Sequence, residues 1–156
     1  MKVKFEDLIA STTYEFVSDF YKGIARAKKN GRWGILNNEG EEIVPFEYED
    51  IVSLSFSGGL IGIKKNGKWG FINRNGETVI PIKYDAVFPF YGKFGVTKVM
   101  LDNKWGIINK EGDEVTKISY SKVELFGRGI ALSEEDGKLD YISYEHSLKN
   151  FRNTKE

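Results

Sequence analysis

The residues that could carry out chemistry are few, and they form no complete catalytic set. His146 is the one histidine among 156 residues, and the chain has no cysteine. A zinc site of the common kind therefore lacks its second histidine or cysteine ligand. A Ser-His-Asp triad would have to use His146, and no serine stands in a nucleophile elbow. We expect no catalytic residue, no metal site and no cofactor, and we interpret His146 as a surface residue.

Two further patterns resemble functional motifs. Acidic pairs such as Glu134-Glu135 could serve a glycosidase, but carboxylates are abundant and nothing distinguishes one pair from another. The stretch from Gly62 to Lys68 has the glycine and lysine spacing of a phosphate-binding loop, yet Trp69 stands where the magnesium-binding Ser or Thr belongs. We expect solvated surface charge in the first case and a β-hairpin in the second.

Tryptophan is the residue that most suggests ligand binding. Trp33, Trp69 and Trp105 lie 36 residues apart twice (69−33 and 105−69), and a glycine follows each of them. Exposed rings at this spacing would suit a carbohydrate-binding module, which is the alternative function. The favoured interpretation is that each Trp is the structural anchor of a repeated unit. We therefore expect the three rings to be mostly buried.

An internal repeat accounts for this spacing. Tyrosines start four successive units at intervals of 34, 36 and 36 residues (48−14, 84−48 and 120−84). The units lie near 14–47, 48–83, 84–119 and 120–150 of a single domain, with residues 1–13 as an N-terminal cap and 151–156 as a tail. In the fourth unit Leu139-Asp140 replaces Trp-Gly. An atypical last repeat is typical of a terminal cap.

Each unit is predicted to form three antiparallel strands. Asn66-Gly67 separates two apolar runs, and such a pair favours a type I′ turn because both central residues need positive φ. Equivalent pairs occur at 30–31, 102–103 and 136–137, so Gly31 and Gly67 are expected to be structural. Strand pairing should place Ile63 opposite Gly70. A third strand is expected to end at Pro81, because proline cannot donate to a central ladder.

Packing between units follows from the hairpin, since both of its faces carry apolar side chains. A lone three-stranded meander cannot bury two faces, so each unit must pack on its neighbours. The fold class is therefore all-β, with about four three-stranded antiparallel units of 34–36 residues. We expect them to stack in an open twisted array. A closed, propeller-like ring is the alternative.

At this point the sequence resembles a known family. The segments GRWGILN (31–37), GKWGFIN (67–73) and NKWGIIN (103–109), with the flanking GEEIVPFEY (40–48) and GETVIPIKY (76–84), are similar to the bacterial WG-repeat (KWG-repeat) family. The resemblance extends from about Tyr14 to Ile142. It implies an interaction repeat without an assigned chemistry. Lys117 in place of proline and Leu139-Asp140 in place of Trp-Gly depart from the pattern.

Candidate partner-binding residues fall into two groups. The hairpin tips carry basic residues in the first two units and acidic residues in the fourth; the residues are Lys28, Lys29, Lys64, Lys65, Glu134 and Glu135. If the tips align, one edge changes from basic to acidic and could steer a charged partner. The connections between strands vary in length and contribute the apolar candidates Leu54, Phe88, Tyr91 and Phe94.

Composition limits the class of partner. Lysine plus arginine and aspartate plus glutamate both number 23, and this neutral balance disfavours a duplex nucleic-acid binder. No apolar run has the length of a membrane helix, so a cytoplasmic protein is expected. The favoured function is a non-enzymatic protein-binding module, with a bacterial immunity or accessory protein that masks a toxin or enzyme as its sharper form. A hydrolase ranks third, after the carbohydrate-binding alternative, and the oligomeric state stays open.

Overall fold

The computed structural model describes residues 4–10, 13–52, 59–90 and 93–144, and in these ranges the chain forms one short helix followed by four antiparallel sheets. Helix α1 spans Phe5–Ala10. The first sheet contains β1 (Phe16–Val17), β2 (Ile24–Lys29), β3 (Arg32–Asn37) and β4 (Glu42–Tyr48) in that order. The second contains β5 (Asp50–Ile51), β6 (Ile61–Lys65), β7 (Lys68–Ile72) and β8 (Thr78–Tyr84).

The two C-terminal sheets have three strands each. The third sheet contains β9 (Ala86–Val87), β10 (Val96–Leu101) and β11 (Lys104–Asn109), and the fourth contains β12 (Lys122–Phe126), β13 (Ile130–Glu135) and β14 (Lys138–Ser143). The fold is therefore all-β, as predicted. The first two sheets have four strands instead of the predicted three, because the two-residue strands β1 and β5 add to the edge of the hairpin. In the last two sheets the third strand is likewise the one before the hairpin, β9 or β12. The strand expected after the hairpin of the third unit is reduced to isolated bridges at Glu114 and Tyr120.

The predicted hairpin turns are confirmed. Asn66 and Gly67 have φ angles of 51° and 74°, and the other three turns also have two consecutive residues with positive φ. These angles are those that a type I′ turn requires. Register follows from the turn, and Ile63 pairs with Gly70 as predicted.

The prediction that proline ends the third strand is wrong. Strands β4 and β8 continue through Pro45 and Pro81. Each pairs only with the preceding strand of its sheet, and the register shifts between Trp33 and Ile35, which pair with Tyr48 and Val44. Proline thus lies in a bulge of an edge strand, where no ladder hydrogen bond needs its missing N–H.

The glycine after each tryptophan makes this edge strand possible. A Cβ atom at Gly70 would lie 2.7 Å from the carbonyl oxygen of Ile80, and one at Gly34 would lie 2.7 Å from that of Val44. At Gly106 the nearest backbone atom is the Cα of Ile118, at 2.8 Å. Real Cβ atoms do not approach backbone atoms so closely, so any other residue would push the returning strand away.

Successive sheets are joined by apolar cores. One cluster of buried residues lies between the first and second sheets, one between the second and third, and one between the third and fourth. No strand of the first sheet is in extensive contact with a strand of the fourth among the described residues. This arrangement is the predicted open array and differs from a closed ring.

Helix α1 covers the free side of the first sheet. Leu8 is buried there with Val17, Ala25 and Leu36, and Tyr14 packs against the same group. The N-terminal end of the array therefore has a cover of its own.

We expect Gly70→Ala to destabilise the protein by about 2–3 kcal/mol, because the added methyl group collides with backbone that cannot rotate away. Gly127→Ala is the matched control, since no atom lies within 4 Å of its Cβ position and its φ is not in the left-handed region. That control should change stability by less than about 1 kcal/mol. Urea unfolding of both variants measures the difference. Equal stability would contradict the close approach of β8 to β7.

Candidate functional site

The most distinctive surface of the molecule is an exposed apolar face on the fourth sheet. Strand pairing places Phe126 opposite Ile130, and Leu132 opposite Tyr141, and directly opposed residues point to the same side of a sheet. Leu139 points to this side as well, two residues before Tyr141. Tyr141 is 70% exposed, Leu139 65%, Phe126 44% and Ile130 40%. We call this set of five side chains the outer face.

The other side of the fourth sheet is packed against the third sheet. Its contacts bury Val123, Ala131 and Tyr144 together with Val96 and Ile107. The outer face therefore points away from the rest of the array.

The repeat shows why an exposed outer face is unusual. Tyr141 occupies the position of Ile35, Phe71 and Ile107, as the spacings of 36, 36 and 34 residues show (71−35, 107−71 and 141−107). Each of these three residues is 0% exposed, because the next sheet covers it. Leu139 likewise takes the position of the partly buried tryptophans. Among the described residues, no further sheet covers the equivalent face of the fourth sheet.

The prediction that the fourth unit acts as a cap does not fit this face. A capping repeat has a polar outer side, whereas Leu139 and Tyr141 are among the most exposed large apolar residues that the structure describes. In the other units, the glycine after the tryptophan leaves room for the chain that returns beside it. Asp140 takes this position in the fourth unit and adds a side chain there. The degenerate motif in the sequence therefore indicated that the fourth unit differs from the others. The alternation of Leu139 and Tyr141 in β14 was the signal for an apolar face on this sheet.

The predicted charged tips lie along one edge of the array. Tyr48 pairs with Trp33 beside the first tip, and the next residue, Glu49, accepts a hydrogen bond from the backbone N–H of Gly67 at the second tip. Glu15 makes the same bond to Gly31. Each of these two turns is thus held by the glutamate that directly follows the tyrosine at the start of the same unit.

The same links continue to the other tips. Asp85 accepts hydrogen bonds from Lys68 at the second tip and from the backbone N–H of Asp102 at the third tip, the latter at 2.7 Å. The backbone N–H of Ser121 then donates to the backbone carbonyl of Glu134 at 2.8 Å, next to the fourth tip. The structure therefore brings Lys28, Lys29, Lys64, Lys65, Glu134 and Glu135 to a single edge.

Much of the charge on this edge is already paired. Ion pairs join Lys29 to Glu42 at 3.2 Å, Lys65 to Glu47 at 2.9 Å and Lys117 to Glu135 at 3.2 Å. Lys28 and Lys64 lie over the rings of Trp33 and Trp69, at 5.7 and 5.8 Å from their centroids. Local pairing of this kind weakens the field that a distant partner would experience, so steering by this edge stays a prediction.

The apolar loop candidates separate in the structure. Phe88 is 41% exposed and its ring lies 5.9 Å from that of Trp105. Phe94 is partly buried: it packs edge-on against Tyr144 at 5.6 Å and against the core between the third and fourth sheets. Its role as a partner contact stays a prediction. Three other residues singled out in the sequence lie outside the described residues: Leu54, Tyr91 and His146.

The three tryptophans are only partly buried, and each packs against the core between two sheets. Arg26 lies 5.0 Å from the centroid of Trp33 and donates to the carbonyl of Ile51 in the second sheet at 2.9 Å. Lys98 lies 72 residues after Arg26 (98−26), which is two units of 36 residues.

Lys98 repeats the arrangement of Arg26 two units further along the chain. It lies 5.1 Å from the centroid of Trp105 and donates to the carbonyl of Val123 in the fourth sheet at 3.1 Å. These two cations therefore connect successive sheets. Neither role could be predicted from the sequence, because a charged residue in a hairpin strand is typical of a solvated surface.

The described residues offer neither a metal site nor a membrane-spanning helix. No group of three or more His, Cys, Asp or Glu side chains there could hold a metal ion. No helix among them has the length and apolar character needed to cross a membrane.

The Lys68–Asp85 contact has a measurable electrostatic effect. The hydrogen bond from Lys68, followed by that from the Asp102 backbone, lowers the pKa of the Asp85 carboxyl, and the same contact with Asp85 raises the pKa of Lys68. Because the folded-state pKa of Asp85 is depressed, its contribution to stability is present above the unfolded pKa and is lost as the pH falls through the folded pKa.

We expect Lys68→Met to raise the pKa of Asp85 toward its ordinary value, because the variant removes the largest cause of the shift. Lys104→Met, at an exposed position of the next hairpin, is the control and should leave that pKa unchanged. NMR titration of the Asp85 carboxyl carbon measures both. An unchanged titration in Lys68→Met would show that the contact does not persist in solution.

Comparison with known proteins agrees with the repeat. The family model described as "WG containing repeat" matches four times, at residues 4–33, 33–69, 69–105 and 105–138. Comparison with curated proteins finds no match. Among solved structures, the chain is similar to "KlHsv2 with loop 6CD replaced by a Gly-Ser linker", at 16% identity and a TM-score of 0.47. The similarity covers 85% of this chain and 48% of that one, so the chain spans about half the length of that protein. The chain belongs to the WG-repeat family.

Proposed function

We propose that this chain is a non-enzymatic protein-binding module and that the outer face of the fourth sheet is its main contact surface. The observation that carries the proposal is the exposure of Tyr141 and Leu139 at positions that are covered in the preceding units. Large apolar side chains grouped on one surface are typical of sites where proteins associate.

The composition of the outer face supports a protein partner. Tyrosine is enriched among the residues that contribute most to binding energy, and an apolar centre with a polar rim is the usual anatomy of an interface. Here Lys122, Glu124 and Glu134 lie on the same side of the sheet as the apolar residues and form such a rim.

The carbohydrate-binding alternative receives less support. A sugar would need an open tryptophan face, but Arg26 and Lys28 both lie over Trp33, and Lys98 lies over Trp105. The rings are also partly buried between sheets. These contacts favour the structural interpretation of the tryptophans.

The narrower form of the proposal is an immunity or accessory protein that masks part of a toxin or an enzyme. A rigid array with one uncovered apolar face suits this role, because a preformed surface loses little entropy on binding. The partner would then place its own apolar residues against Tyr141 and Leu139.

Photo-crosslinking in the source cell tests the proposal. With a benzophenone amino acid in place of Tyr141, we expect cross-links to a defined protein that do not form from Lys104, an exposed control position at the third hairpin tip. The cross-linked protein, once purified, should bind the wild-type chain and bind Tyr141→Lys at least about tenfold more weakly. Identical cross-links from both positions, or none, would contradict the proposal.

A further inference from the structure

We propose that the protein bound at the outer face is a second copy of this chain, related to the first by a two-fold axis. The proposal rests on the proposed function for the location of the site and adds the identity of the partner. In the resulting dimer, the two fourth sheets pack face to face at the centre and the two α1 helices lie at the far ends.

The outer face corresponds to a face of each of the first three sheets, and there another sheet of the chain packs against it. This correspondence supports a sheet as the occupant of the outer face. On the first three sheets, the residues equivalent to Tyr141 are buried under another sheet of the array. Sheets pack face to face through interdigitated side chains, with aligned strands as a common solution. The fourth sheet of a second copy supplies an apolar sheet face of matching size, because it is the same surface.

The opposite end of the array limits how copies can join. Head-to-tail stacking would place the outer face on the first sheet of the next copy, but α1 already covers that sheet and buries Leu8 against Val17 and Leu36. The contact that leaves α1 in place joins outer face to outer face. Such an isologous contact closes after two copies and does not extend into a filament.

Electrostatics permits this contact. The formal net charge of the chain is zero, so two copies approach without strong mutual repulsion. The rim of the outer face carries both signs, with Lys122 3.0 Å from Glu124 and directly opposite Glu134. A two-fold axis therefore does not bring together two surfaces of a single sign.

The contact also differs from two of the three internal ones in a way that suits separate molecules. Leu132 lies one unit, 34 residues, after Lys98 (132−98) and takes the position that Arg26 and Lys98 have in the first and third units. The outer face therefore has leucine at the position from which those two cations donate to the backbone of the covering sheet. Association would depend on apolar burial, and we expect it to be reversible and dependent on concentration.

Sedimentation velocity of the full chain tests the proposal from about 5 to about 500 µM. We expect the wild type to shift from the monomer mass of 17.8 kDa toward twice that value. Tyr141→Lys should weaken dimerisation at least about tenfold. Val79→Lys is the matched control, since Val79 is 38% exposed on the second sheet, and should dimerise like the wild type. Thermal melts establish that each variant is folded.

A wild type that stays monomeric, or a dimer that Tyr141→Lys does not weaken, overturns the proposal. Cross-linking from position 141 in a mixture of isotopically labelled and unlabelled chains identifies the occupant. Cross-links between the two chains at the fourth sheet support the dimer, whereas cross-links to residues 145–156 of the same chain overturn it. If the chain is monomeric but cross-links to a different protein from position 141, the dimer fails and the proposed function stands.

Discussion

The structure depends on the packing of each sheet against the next. A hairpin whose two faces both carry apolar side chains cannot bury them within its own unit, and the three clusters between successive sheets meet this need. The Trp-Gly pair serves the same packing. The tryptophan contacts the cluster, while the glycine lets the edge strand return so closely that its backbone lies within 3 Å of the Cβ position.

Among the described residues, the first and fourth sheets each have one face without a neighbouring sheet, so that face needs another cover or stays exposed. On the first sheet, α1 provides this cover by burying Leu8 against the sheet. At the fourth sheet, Leu139 and Tyr141 are exposed. This asymmetry between a covered and an uncovered end links the fold to the proposed binding function.

Local rules explain what could be predicted from the sequence. The Asn-Gly turns fixed the register of the hairpins because a two-residue turn leaves one pairing. The path of β8 through Pro81 could not be predicted, because it depends on the close approach at Gly70, which is a tertiary contact. The strands β1 and β5 are too short to show an alternating pattern. The exposure of Tyr141 depends on how the sheets pack on one another, and this is a property of the array as a whole.

The most direct test of the account is the solvent accessibility of the outer face in dilute, monomeric protein. Hydroxyl-radical footprinting with mass spectrometry reports this residue by residue. The account predicts rapid oxidation of Tyr141 and strong protection of Tyr84, which is 1% exposed between the second and third sheets. Equal protection of the two tyrosines would show that the outer face is covered within the single chain, and would contradict the account.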